Sequence, residues 1–269
     1  MRKYFAIFNT QTLVILVLSL LSAYISLRYQ ISIYLDFLIM GLMIIFPLTF
    51  SLRSAFRRRE RAIQYLSLFK ASLQSVYYAF QNSKLEKEKK NEFKNIAENI
   101  STSLLNYLSG KSNDAKTVQE ASHSIFIFIE SNKIKRALGT KVLMFIFRTN
   151  ECIEFLLGTR RHKTPWGPRA LVLFAIYGFT VFYPASLLHD VGFEVPLWYV
   201  FIMTFFKTFL LISLYNVEAL LEDPFNQEGT DGIRIYDFAF DAGAAPPPEI
   251  KTASSADELS EIMDDHDLD

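Results

Sequence analysis

Four long apolar stretches, at residues 12–27, 33–52, 170–188 and 196–214, constrain this chain more than any other feature. A hydrocarbon core is crossed by roughly 20 helical residues, and the backbone inside it must satisfy its own hydrogen bonds, so each stretch is expected to be a transmembrane helix. Composition agrees: 51% hydrophobic and 15% aromatic residues in a chain of 269 is too apolar for an ordinary soluble domain. The first stretch follows Arg2 and Lys3, as in a signal peptide, but no clean small-residue cleavage site follows and the second stretch begins almost at once. It reads as a retained helix.

The charges set the orientation. Formal net charge is zero, so no overall field points to nucleic acid, but the basic residues are clustered. Arg53, Arg57, Arg58, Arg59 and Arg61 follow the second stretch; Arg160, Arg161 and Lys163 precede the third; the segment 189–195 carries no Lys or Arg. The positive-inside rule then places the middle of the chain and both termini in the cytoplasm of a multi-pass cell-membrane protein, with Arg28 as the one dissenting charge. Trp166, Tyr183, Trp198 and Tyr199 fall near the expected span ends, where aromatic belts sit. The expected architecture is an all-α membrane protein divided into spans 1 and 2 (1–52), a helical cytoplasmic domain (53–166), spans 3 and 4 (167–222) and a C-terminal segment with an acidic, disordered tail (223–269).

Inside the middle domain, Ile63, Leu66, Phe69, Leu73, Val76, Tyr77 and Phe80 recur mostly every three or four residues, so the second helix is predicted to continue past the membrane, about 40 Å beyond Arg53 at 1.5 Å per residue. Residues 84–94 read as a polar connector, after which Phe93, Ile96, Ile100, Leu104 and Leu108 restart a helical stripe. A second break falls at 110–114, the run 125–129 reads as buried helix over strand, and 142–157 as a core helix. After Glu222, Gly229, Gly232, Gly243 and Pro246 to Pro248 break structure, and 257–269 is acidic, which describes a tail without its own core.

Enzyme signatures are lacking: the sequence has no phosphate loop, dinucleotide fingerprint or nucleophile elbow, and its four histidines are scattered. Cys152 is the only cysteine, which excludes an intrachain disulfide or a thiolate metal cluster. The residues that suggest a function lie in the second span. Leu38, Leu42, Phe46 and Phe50 stand at successive four-residue steps and stack into one apolar ridge. Copies of that helix around an axis would make a hydrophobic neck, which can gate by dewetting and whose phenylalanine edges favour a partly dehydrated anion. Pro47 cannot donate to the carbonyl of Met43 within the same span. Arg53, Arg57, Arg58 and Arg61 would ring the inner mouth and concentrate anions, although the same arginines serve equally as topology anchors or contacts to lipid phosphates. Asp36 and Lys207 are the other polar groups that a membrane tolerates poorly, and Lys207 calls for a buried partner or a wet crevice.

Several motifs in order resemble the bestrophins and their bacterial relatives. Phe46-Pro47-Leu48-Thr49-Phe50-Ser51-Leu52-Arg53-Ser54, running into Arg57-Arg58-Arg59-Glu60-Arg61-Ala62, is similar to the bestrophin neck and its exit. Val217-Glu218-Ala219-Leu220-Leu221-Glu222-Asp223-Pro224-Phe225 resembles the segment that ends in Pro-Phe after the last span, and Thr164-Pro165 fits ahead of the third. The resemblance implies a homopentameric channel, embedded in membrane lipid, that passes chloride and other inorganic anions through a neck of three apolar side chains, best matched by Leu42, Phe46 and Phe50. Alignment on Pro47 and alignment on the arginines place that neck one turn apart, and some bacterial relatives prefer cations. In members that bind calcium an acidic run follows Pro-Phe; here only Glu228 and Asp231, with Asp223 before them, could serve as ligands. Calcium takes six or more oxygens, so strong calcium gating is not expected, and no other cofactor is implied. The alternative reading is a non-conducting membrane scaffold or sensor whose cytoplasmic helices bind a partner.

Overall fold

The computed structural model describes residues 9–132, 136–162, 166–226 and 232–243. Its helices are α1 (Thr10–Arg28), α2 (Phe37–Gln81), α3 (Lys87–Leu108), α4 (Ala115–Ser131), α5 (Arg136–Arg161), α6 (Trp166–Val191) and α7 (Leu197–Leu221), followed by a short 3-10 turn (Ile235–Phe238). Four of them, α1, α2, α6 and α7, are long and apolar enough to cross a membrane, and no strand occurs among the described residues. This is a multi-pass, all-helical membrane protein.

The membrane half is held by narrow, small-residue seams. Thr12, Ile15, Ser19, Ala23 and Ser26 form the buried stripe of α1, which lies against α6 and α7. Small side chains let helix backbones approach closely in lipid, where the hydrophobic effect does not drive association. Across the seam, Asn216 Nδ2 donates to Thr12 Oγ1 at 2.7 Å, and Ser22 Oγ donates to the Val181 carbonyl. A second apolar cluster unites Ile44 and Leu48 of α2 with Val172, Ile176 and Phe179 of α6 and Ile212 of α7.

The second span begins later than its apolar run. Helix α2 starts at Phe37 and not near Ile33, because Asp36 caps it: its carboxylate accepts from Leu38 N at 3.0 Å and Ile39 N at 3.3 Å. The preceding residues are pinned to α6 instead, with Ile33 N on the Ala185 carbonyl and Ser186 Oγ on the Leu35 carbonyl. Asp36 therefore satisfies two otherwise orphaned amides at the span's end.

From there α2 runs unbroken through Pro47 for 45 residues. Its distal half becomes the spine of a body outside the spans, where Leu66, Phe69, Leu73, Val76 and Phe80 are fully buried and only Ile63 of the expected stripe stays exposed. Against this spine pack α3, α4 and α5, with Phe80, Phe93 and Phe128 meeting as a ring cluster. Helix α3 already begins at Lys87, inside the segment expected to be a connector, so only 82–86 link it to α2. The break at 110–114 is real: Gly110 adopts φ +79°, and Asp114 caps α4 by accepting from Lys116 N, bonds that also hold its carboxyl below the usual range. The run 125–129 is helical, within α4.

The C-terminal segment departs from its expected character. Phe225, Ile233 and Ile235 are buried in the body, and Phe238, Phe240 and Ala242 pack against it. Lys70 Nζ donates to the Asp237 carbonyl, Gln74 Nε2 to the Asp241 carbonyl, and Phe240 N to Ser101 Oγ. These few apolar residues cannot make a core of their own, but they complete an existing one. Gly229, Pro246 to Pro248 and the acidic stretch 257–269 lie outside the described residues.

Cys152 sits in the same body, fully buried, and burial with the neighbouring Glu151 charge pushes its thiol up to about 11. At pH 8 the thiolate is scarce and the sulfur is inaccessible, so the folded protein should react with a thiol reagent orders of magnitude more slowly than the denatured chain. Comparable labelling rates in the two states would contradict this packing.

Candidate functional site

The apolar ridge faces away from its own protomer. Leu38, Leu42, Phe46 and Phe50 are 73%, 41%, 55% and 66% exposed, whereas Ile44 and Leu48, on the other side of the same helix, are buried at 0% and 1%. Packing within the chain thus uses one stripe of α2 and leaves the ridge uncovered. Continuing down the helix in steps of three or four, the same strip becomes Ser54, Arg57 and Arg61, all exposed. Along one face, the surface changes from methyl and phenyl groups to hydroxyl and guanidinium groups.

A polar latch fixes the point where this change happens. Ser51, the residue after Phe50, donates through Oγ to Glu218 Oε1 at 2.6 Å. Glu218 is 2% exposed on α7, and its Oε2 lies 3.6 Å from Arg169 Nε of α6. Arg169 also bonds Glu222 through Nη1 and lies over the Tyr215 ring, 5.4 Å from its centroid. One guanidinium therefore faces two carboxylates, and the first of them, Glu218, also holds α2 through Ser51. A buried charge is tolerated only when paired, so the latch ties three helices at one depth. Sequence reading assigned no role to Ser51 or Arg169. The available signal was Glu218 itself, a carboxylate within an apolar helix that requires a partner.

The basic cluster divides. Arg53, Arg57 and Arg61 are exposed, but Arg58 turns aside and donates to the carbonyls of Thr159 and His162, capping the end of α5. Arg58 is thus a structural cap and not part of the strip that continues the ridge. Arg160 points to Asp223, with Nη1 at 3.0 Å from Oδ2, while Asp223 Oδ1 accepts from Phe225 N. Both carboxylate oxygens of this candidate calcium ligand are engaged within the protein. Glu228 and Asp231 lie outside the described residues, as do Lys163, Thr164 and Pro165. Among the described residues no cluster of three or more His, Cys, Asp or Glu side chains is placed to hold a metal. Lys207 is exposed on α7, and its ammonium sits 4.6 Å from the centroid of the Tyr183 ring. The partner demanded at that depth is an aromatic face, which attracts a cation through its quadrupole.

No protein-family model matches this chain, and no curated protein matches it. Solved structures do. A single-residue variant of the bacterial bestrophin homologue from Klebsiella pneumoniae superposes with a TM-score of 0.69 at 14% identity, covering 86% of this chain and 95% of that one. A second variant of that protein gives 0.70 at 14% identity, covering 86% and 93%. The chain has the bestrophin fold. At this identity the likeness lies in the backbone course: two spans, a helical body grown from the second, two further spans and a returning segment. Within this fold α2, with its uncovered ridge, is the helix shared between the spans and the body.

The latch yields a direct expectation. Arg169→Met removes the cation and leaves Glu218 and Glu222 buried without it, which should cost about 3 kcal/mol or more. Thermal unfolding in detergent would show this as a lowered midpoint, largely rescued when Glu218→Gln and Glu222→Gln are added. An unchanged midpoint for Arg169→Met alone would show that the cluster is solvated and does not hold the helices.

Proposed function

We propose that this protein is an anion channel in which α2, repeated around a shared axis, forms a hydrophobic neck from Leu42, Phe46 and Phe50. The observation that carries this reading is the uncovered ridge, left exposed on the span that is least buried of the four, in a helix that lies at the centre of the fold. A lipid-facing helix would account for the apolar half. It does not account for a strip that stays open where the helix leaves the bilayer and there presents Ser54, Arg57 and Arg61. Facing an aqueous axis, that strip reads as neck above and basic mouth below. Low-dielectric walls focus the arginine field there and raise the local anion concentration. The stoichiometry is a homopentamer, as the bestrophin resemblance implies, with the body and both termini on the cytoplasmic side.

Chloride is the first candidate ion. The neck passes it when the apolar constriction wets, and ring edges replace part of its hydration shell. Calcium has no part in opening: Asp223 is occupied by Arg160 and by the Phe225 amide, which supplies in advance the positive charge that a cation would bring.

Purified protein in planar bilayers under a salt gradient tests the function. The reversal potential should lie toward the chloride equilibrium potential. Leu42→Ala with Phe46→Ala should raise open probability several-fold and weaken selectivity, because a wider neck no longer dewets. Absence of any current, together with a monomeric or dimeric particle mass, would support the scaffold reading instead. In the same recordings, chelating calcium should leave open probability unchanged; a loss of current on chelation would refute calcium independence.

A further inference from the structure

Just below the ridge, α2 and the last turns of α5 enclose a crevice of about 550 Å³. Arg57, Arg58 and Arg61 line it from α2, Thr159 from α5 and His162 from just beyond that helix, and the ring of Phe155 contributes its apolar wall. No carboxylate lines it. Glu60, on the same helix, is exposed and outside the lining. The end of a helix would ordinarily present partial negative charge to such a space. Here Arg58 takes up the Thr159 and His162 carbonyls, which cancels that charge and leaves Arg57 and Arg61 in surplus. Both are exposed, and neither makes a hydrogen bond or ion pair within the described residues. They are one turn apart on α2, so their Cβ atoms are about 5–6 Å apart and their forks can converge on one group. Ser54, also in the lining, adds a hydroxyl donor on the same strip.

We infer that this crevice binds a phosphate group. Two guanidinium forks match a tetrahedral oxyanion, which offers several acceptor oxygens in the bidentate geometry that arginine favours. The volume is far larger than the roughly 30 Å³ share of a single water, and so fits a phosphate-bearing molecule better than a bare halide. Every lining residue belongs to one protomer. The phosphate can come from a soluble anion on the side of the body or from the headgroup of a phospholipid, since the crevice begins directly where the apolar span ends.

The test is calorimetric titration of inorganic pyrophosphate into the full-length protein in phosphatidylcholine nanodiscs, repeated in discs rich in phosphatidylglycerol. A soluble source predicts saturable binding in both lipids, weakened by salt. A headgroup source predicts binding in phosphatidylcholine that phosphatidylglycerol abolishes by occupying the crevice. In either case Arg57→Gln with Arg61→Gln should lower pyrophosphate affinity by about tenfold or more, the scale of losing two charge-assisted contacts. Gly158→Asp should do the same: a Cβ there meets nothing within 4 Å, so the change adds a carboxylate to the lining without a steric clash. Arg28→Gln, at the far end of α1, should bind like the wild type. Absence of pyrophosphate binding in phosphatidylcholine, or equal binding by wild type and the double arginine variant at unchanged particle size, would overturn the site. Because binding is read without current, a silent channel leaves this result standing, and a conducting channel without pyrophosphate binding refutes the crevice alone.

Discussion

One continuous helix organises this protein. Helix α2 is capped at its N-terminal end by Asp36, passes Pro47 without a break, and ends as the spine of the body at Gln81. Helices α6 and α7 pack on its apolar half through Ile44 and Leu48, and α3 and α5 on its distal half through Leu66 to Phe80; α1 is held in turn by α6 and α7, and α4 by α3 and α5. The exposed ridge lies across the helix from Ile44 and Leu48, on a side of α2 that the chain itself leaves free.

The Arg169 latch sets where the ridge sits. Hydrocarbon cannot solvate Glu218, and its burial sets one oxygen on the Ser51 hydroxyl and the other 3.6 Å from the Arg169 guanidinium as an ion pair. Since Ser51 adjoins Phe50, the latch holds the lower end of the ridge at a defined depth and rotation. Two residues later in α2 the surface turns polar, and Arg58 anchors that next turn to the end of α5. Membrane half and body are therefore joined by charge-assisted bonds at the boundary and by apolar packing on both sides of it.

Much of this was legible in the sequence because it follows from periodicity. The four spans, the continuation of α2 through Phe80, the helical nature of 125–129 and the ridge itself all depend on spacing along one helix. Features that depend on residues distant in sequence were not legible. Ser51 and Glu218 are separated by 167 positions, and nothing local marks them as partners. The start of α2 was misjudged because Ile33 and Leu35 are as apolar as the span, while the capping of Asp36 decides the boundary. Arg58 looked like its neighbours until the exposed carbonyls of α5 gave it a separate role. Ile233, Ile235 and Phe240 were too sparse to signal a core, and their burial depends on a surface that the other helices build.

The central claim is that the α2 ridge faces water around a common axis and not acyl chains. Substituted-cysteine accessibility measures this directly, with Cys152 silent because it is buried. Phe46→Cys channels, exposed in a bilayer to a charged, membrane-impermeant thiosulfonate, should be modified and should lose current, while Leu20→Cys on the exposed face of α1 should not. Modification of Phe46→Cys by lipid-soluble reagents only, with no effect of the charged reagent in any state of the channel, would contradict the claim.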